Sequence, residues 1–166
     1  LKFEPKSKQT LEVLLVSYAK IGDILNSLIH LNKMKNLKYI NAEKYKNISA
    51  DLNYLSGLNY LDKNNNKIAV KHFKEALKQK PNHIPASIKL TDIMLGIGSK
   101  TKSINYLEKT FLLTSNPDVL DHLSKKWGLK NSGSRVSKAI SLLNKSYLDK
   151  IKDNLKIEIA CYAIKE

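Results

Sequence analysis

The chain has 166 residues, a length that suits one compact domain or a short repeat array. With only 4 Pro and 6 Gly, it lacks the residues that punctuate many short strands or long disordered tracts, so the composition favours long helices. The formal net charge of +14 would attract phosphate groups, anionic lipids or acidic proteins, but Arg135 is the only arginine, which disfavours the bidentate contacts typical of nucleic-acid-binding proteins.

Two amphipathic helices are predicted at the amino end, because apolar residues recur at helical spacing over 11–18 and again over 24–31. Gly22 and Asp23 lie between them. The glycine is placed to end the first helix and the aspartate to cap the second. So short a connection predicts that the two helices pack antiparallel.

The middle of the chain continues this alternation of helix and tight turn. A long third helix is predicted from the apolar residues between Ile48 and Leu61. A fourth helix is predicted to stop before Pro81, because a proline disfavours helical geometry in the residue that precedes it. Two further helices follow, one leading to Gly98 and one ending at the Thr114–Pro117 break. The apolar positions that define these four helices run through 48–61, 68–77, 90–97 and 104–111.

The carboxyl-terminal part is predicted to contain three more helices. Asn116 is a suitable cap and Pro117 a suitable first residue for a helix that reaches Trp127. The small and polar residues of 128–134 predict a loop. Apolar residues at helical spacing then predict helices over 136–147 and 155–163.

The strongest indication of the fold in this sequence is an internal repeat. Tetratricopeptide repeats are helix–turn–helix units of about 34 residues with the pattern W-x2-L-G-x2-Y, A-x3-F and P. The central copy here has small residues where helix backbones would approach each other, rings beside them, and a proline at the end of the second helix. Its residues are Asn53, Ser56, Gly57, Tyr60, Ala69, Phe73, Ala76 and Pro81.

Two weaker copies flank the central one. Ser87, Leu90, Thr91, Met94, Ser103 and Leu107 match the template one period downstream, and Leu11, Leu14, Leu15, Tyr18, Ser27 and Leu31 match it upstream. The longer upstream spacing predicts an inserted or extended helix around Asn41–Ser49. We therefore predict an all-α, tetratricopeptide-type α-solenoid of antiparallel helix pairs. The chain would form a single domain over 1–166, with units at about 8–40, 50–83 and 84–116 and atypical helices over 117–166.

Several segments resemble the HemY proteins of proteobacteria, which are tetratricopeptide-repeat proteins assigned to haem (porphyrin) biosynthesis. The segments are Lys80–Ala86, Gly98, Leu107–Lys109 and Asn116–Leu120, together with the early Gly22–Asp23 turn. The chain departs from the family at Phe111 and Asn116, where the family tends to have tryptophan and a His-Pro pair. The resemblance implies a bacterial inner-membrane-anchored scaffold with amino-terminal spans upstream of Leu1, and haem-biosynthesis enzymes among its partners.

No catalytic motif emerges from the sequence. None of the histidines is spaced as in an HExxH or CxxCH site, so neither a metal nor a cofactor is predicted. Asp118 and Asp121 lie in a first helical turn, where carboxylates favour the helix dipole. Cys161, the only cysteine, excludes an intrachain disulfide and is expected to be buried in a helix. The histidines are His30, His72, His83 and His122.

The sequence thus predicts a non-catalytic scaffold that holds a protein partner on the concave face formed by the first helix of each repeat. The mixture of apolar and acidic groups there would suit a partner segment with some basic character. The alternatives are a basic helical domain that binds an anionic membrane surface or nucleic acid, and a porphyrin-binding protein. The predicted concave-face residues are Glu12, Val16, Tyr54, Leu58, Ile88 and Asp92.

Overall fold

A computed structural model describes residues 6–129 and 131–144, and within them every regular element is an α-helix. The all-α class is therefore confirmed for this part of the chain. None of these helices is long and apolar enough to cross a membrane. The helices are α1 (Lys8–Lys20), α2 (Ile24–Asn36), α3 (Ala42–Asp62), α4 (Asn66–Gln79), α5 (Ile84–Gly96), α6 (Lys100–Thr114), α7 (Pro117–Lys126) and α8 (Ser132–Asn144).

The chain divides into two compact units, Leu1–Ala86 and Ser87–Glu166. In the first unit α1 packs on α2 and α3 on α4, while α2 also contacts α3. Since each pair is joined by only a few residues, its two helices run antiparallel. In the second unit α6 packs on α7 and touches α8. The pairs α1–α2 and α3–α4 are helix pairs of a tetratricopeptide-type solenoid, as the repeat pattern predicts.

The turn between α1 and α2 follows the prediction in detail. Gly22 has φ of +81°, which a residue without a side chain adopts at no steric cost. Its N–H bonds the carbonyl of Ala19, and the next N–H, of Asp23, bonds that of Tyr18, so the last carbonyls of α1 are satisfied. One Asp23 carboxylate oxygen accepts from the backbone N–H of Asn26 at 3.1 Å and caps α2.

Helix α3 is extended at its amino end, as the spacing between the first two repeat copies predicts. It has 21 residues and begins at Ala42, with the Asn41 side chain accepting from the N–H of Lys44. The added turns bring Tyr45 and Ile48 against a buried cluster formed with α1 and α2. The extension is therefore part of the core of the first unit. That cluster consists of Leu11, Ile24, Leu31, Met34, Ile40 and Leu52.

The crossing of α3 and α4 explains the central repeat signature. Phe73 is fully buried, and a Cβ added to Gly57 would lie only 2.6 Å from its ring. Ala69 and Ala76, on the facing side of α4, are also fully buried. Small residues at these positions let the ring of one helix lie against the backbone of the other.

In the two flanking helix pairs, a hydroxyl hydrogen bond joins the helices at the equivalent crossing. The positions of Gly57 and Ala69 correspond to Leu15 and Ser27 in the upstream copy, and there the Ser27 hydroxyl donates to the Leu15 carbonyl at 3.1 Å. In the downstream copy the Thr91 hydroxyl donates to the Ser103 carbonyl, also at 3.1 Å. The three copies thus have helix contacts at equivalent template positions, and their division into repeat units stays a prediction. All six downstream template residues, from Ser87 to Leu107, are buried.

The end of the described chain corrects one prediction. The segment 128–134 is not all loop, because α8 begins at Ser132. The side chain of Asn131 accepts from the backbone N–H of Ser134 at 2.7 Å and caps this helix. Asn116 caps α7 as predicted, accepting from the N–H groups of Asp118 and Val119. The helix predicted over 155–163, and Cys161 within it, lie outside the described residues.

Candidate protein-binding surface

Helix α1 carries the first two predicted binding residues on one face. Glu12 is half-buried and Val16, one turn later, is 48% exposed. Val13 beside them is 63% exposed. Leu11, in contrast, points into the core of the first unit. The first helix of the first pair therefore presents apolar side chains to solvent next to a carboxylate.

Helix α3 carries the next two predicted residues, Tyr54 and Leu58, and both are half-buried. The Tyr54 ring packs inside the first unit, with its centroid 5.8 Å from that of Phe73 and 5.2 Å from that of His83. Much of the tyrosine surface is thus used for packing within the unit. Asp51, one turn earlier on the same face, has an exposed side chain.

His83 connects this face of α3 to the start of α5. The imidazole is buried, its Nδ1 accepts from the backbone N–H of Ala86 at 3.1 Å, and its Nε2 lies 3.2 Å from a carboxylate oxygen of Asp51. Because Nδ1 is an acceptor, Nε2 carries the proton and donates to Asp51. The spacing of His83 in the sequence indicates no metal or cofactor site, and its role in fixing the start of α5 was not predicted.

The last two predicted residues, Ile88 and Asp92, lie on α5. Ile88 is half-buried, and the Asp92 carboxylate bonds the Lys126 ammonium and lies 3.2 Å from Nε2 of His122, both on α7. Partial burial acts to raise the pKa of Asp92, but the hydrogen bonds and charges of Lys126 and His122 outweigh it, so the pKa is lowered. The acidic group is thus held by basic groups of the same unit.

This cluster predicts a specific pH dependence. The pKa of Asp92 is lower in the folded chain than its ordinary value of 3.8, so the ionised carboxylate stabilises the fold fully above pH 3.8. This contribution to the free energy of unfolding is lost as the pH falls through the pKa of the folded state. We expect Asp92→Asn to remove this contribution. The difference in the free energy of unfolding between wild type and variant should therefore become smaller as the pH is lowered. Urea unfolding in steps from about pH 5 down to about pH 2 measures this. Lys126→Met should act likewise, and parallel pH profiles of wild type and Asp92→Asn would contradict the assignment.

A cavity of about 350 Å³ lies elsewhere in the first unit, between the α1–α2 turn, α2, the end of α3, and α4. Leu25 and Leu28 form an apolar wall, and the stacked rings of Tyr60 and His72 form another, with centroids 5.3 Å apart. The Lys63 ammonium lies 6.0 Å from the Tyr60 ring centroid. This cavity was not predictable from the sequence, because its walls come from helices far apart in the chain.

His72 in this cavity is held in one orientation. Its Nδ1 lies 3.2 Å from the side-chain oxygen of Asn53, whose own amide group donates to the Ser49 carbonyl. Nδ1 is therefore the donor and Nε2 the acceptor. Burial lowers the pKa of His72, so the ring is neutral near pH 7.

Over residues 6–129 and 131–144, no group of three or more His, Cys, Asp or Glu side chains is placed to hold a metal ion. The carboxylates and imidazoles described above have other partners: Asp51 faces His83, and Asp92 faces Lys126 and His122.

Comparison with known proteins gives a fold-level likeness only. The chain matches no family model and no curated protein sequence. Among solved structures it is similar to MamA, with 17% identity over 98% of this chain and 84% of that one and a TM-score of 0.48. It is also similar to TTC0263, a thermophilic TPR protein of Thermus thermophilus, with the same identity and coverage and a TM-score of 0.40. Membership of the HemY family stays a prediction.

Proposed function

We propose that this chain is a non-catalytic scaffold that holds a protein partner on the face formed by the first helices of its helix pairs. The observation that carries the proposal is the exposed apolar surface of α1, where Val13 and Val16 face solvent although the unit beneath them is well packed. Contiguous exposed apolar side chains bordered by polar residues mark interaction sites, and Val13 and Val16 lie one turn apart beside Glu12. The proposed partner segment is apolar with basic groups that pair with Glu12.

Site-specific photo-crosslinking tests this proposal. A photoreactive amino acid at Val16 is expected to give a discrete protein adduct in cells that express the full chain. The matched control is Leu113 on α6, a second helix, whose side chain is similarly exposed at 52%. The same partner should crosslink from Leu58 but not from Leu113. Adducts of equal yield at all three positions, or adducts with nucleic acid or lipid instead of protein, would refute the proposed surface.

Ionic strength separates the scaffold from the alternative of a basic domain that binds phosphate groups. Affinity for nucleic acid falls steeply with salt because each neutralised phosphate releases counterions. Binding of a partially apolar protein segment on α1 is much less sensitive. A steep salt dependence for the crosslinked partner would therefore favour the phosphate-binding alternative.

The finer proposal is that the partner is an enzyme of haem biosynthesis and that a segment outside this chain anchors the protein to a membrane. Its support is the resemblance of Lys80–Ala86 and Asn116–Leu120 to the HemY proteins. Identification of the Val16 adduct by mass spectrometry tests it directly. A Soret titration with haem tests the separate idea that the chain itself binds porphyrin, which requires a saturable spectral shift.

A further inference from the structure

The cavity beside α2 opens onto an apolar strip. Leu25, which lines the cavity, is 71% exposed, and Ile29, one turn later on the same face, is 41% exposed. Lys33 follows after another turn and is exposed too. Residues four apart lie above one another on a helix, so these three side chains form one continuous row. We call Leu25, Leu28, Ile29, Tyr60, Lys63 and His72 the α2 groove.

The size and walls of the cavity define what can enter it. Its volume of about 350 Å³ is at the small end of the range for ligand sites. One branched or aromatic side chain fits such a space, with Leu25 and Leu28 on one side and the Tyr60–His72 stack on the other. The walls therefore select an apolar side chain.

The charges around the groove favour an acidic neighbour of that side chain. Within the described residues, no carboxylate lies within 4 Å of the Lys63 ammonium. Asp23 also lines the cavity, but its two oxygens accept hydrogen bonds from the backbone and side chain of Asn26. These bonds lower the pKa of Asp23 and hold it in the cap of α2. Asp23 stays ionised, but both of its oxygens are engaged in the cap, so Lys63 is the charged group of the groove that is open to a ligand, in a chain of net charge +14.

We propose that the α2 groove binds an acidic segment of a partner protein, with one leucine or phenylalanine side chain in the cavity and a neighbouring carboxylate paired with Lys63. This inference rests on the proposed scaffold function and adds a second contact surface to it. The groove is lined by α2, the carboxyl-terminal end of α3 and His72 of α4. It shares no residue with the predicted first-helix face of Glu12, Val16, Tyr54 and Leu58, and it selects a segment of the opposite charge.

Selection from random peptides displayed on phage tests the groove with the full chain as bait. We expect the enriched peptides to carry Leu or Phe beside Asp or Glu. Their affinity, measured by fluorescence anisotropy on synthetic labelled copies, should fall about tenfold or more in Leu25→Ser and in Lys63→Glu. Ile97→Ser, just after α5, is the matched control, since it removes a similarly exposed apolar side chain that belongs to neither surface and should leave the affinity unchanged.

A charge exchange makes the test stricter. Replacing the acidic residue of the peptide with lysine should weaken binding to the wild type and restore much of it to Lys63→Glu. Unchanged thermal midpoints of the variants, which are expected because Leu25 and Lys63 are exposed, show that the fold is intact.

The outcomes separate this inference from the scaffold proposal. Peptides that lose affinity only in Val16→Asp overturn the groove but support the first-helix face. Peptides that bind Leu25→Ser and Lys63→Glu as well as they bind the wild type, or a selection that enriches no acidic–apolar pairing, overturn the groove. The crosslinking result at Val16 is independent of all of them.

Discussion

Phe73→Ala is expected to lower the free energy of unfolding by about 3–5 kcal/mol, which is the cost of emptying a fully buried aromatic site. The ring is completely inaccessible and lies between the backbone of Gly57 and the ring of Tyr54. Its removal takes away contacts on both α3 and α4, and the rigid helix backbones cannot collapse to fill the space. Urea unfolding followed by helical circular dichroism measures the loss.

The control for Phe73 is Val13→Ala, which shortens a side chain that is 63% exposed and should change stability by less than about 0.5 kcal/mol. If Phe73→Ala were as mild as this control, the ring would not hold α3 and α4 together. The assignment of the central repeat would then lose its main physical support.

Gly57→Ala is expected to be the second most damaging change, with a net loss of up to about 2 kcal/mol. Alanine favours the helix by roughly 1 kcal/mol over glycine, but its methyl group would overlap the Phe73 ring, and overpacking of this kind costs about 1–3 kcal/mol. Gly96→Ala is the matched control. It adds the same methyl group to a helical glycine with no neighbouring atom within 4 Å, so it should leave stability unchanged or raise it.

A double-mutant cycle identifies the cause of the Gly57 effect. In the background of Phe73→Leu the side chain opposite residue 57 is smaller and more flexible, so Gly57→Ala should cost less there than in the wild type. Strict additivity of the two changes would show that the loss does not come from contact with the ring.

Local chemistry explains why much of the fold was predictable from sequence. Gly22 and Asp23 specify the turn between α1 and α2 through backbone freedom and a side-chain cap, and neither depends on distant parts of the chain. The central crossing was predictable from the spacing of Gly57, Ala69 and Phe73, because a single helix–turn–helix unit contains all three residues. The start of α8 was missed because small polar residues favour loops, and the Asn131 cap outweighs that preference.

The candidate surfaces were less predictable because they depend on side chains that meet across long stretches of sequence. The contact of His83 with Asp51 spans 32 residues, and that of Asp92 with His122 spans 30. No local pattern encodes such pairs. The template places Glu12, Val16, Tyr54, Leu58, Ile88 and Asp92 on first helices, where they are found, but their role in binding stays a prediction.

The hydroxyl-mediated crossings at Ser27 and Thr91 have a consequence for how this chain can diverge. A glycine facing a ring permits almost no substitution, whereas a hydroxyl bonded to a main-chain carbonyl accepts many different residues around it, since every amino acid carries that carbonyl. Substitutions can therefore remove the repeat signature from the sequences of the two outer copies while their helix spacing is preserved. In such a protein, the positions of the helix contacts retain more evidence of the repeats than the residues at those contacts do.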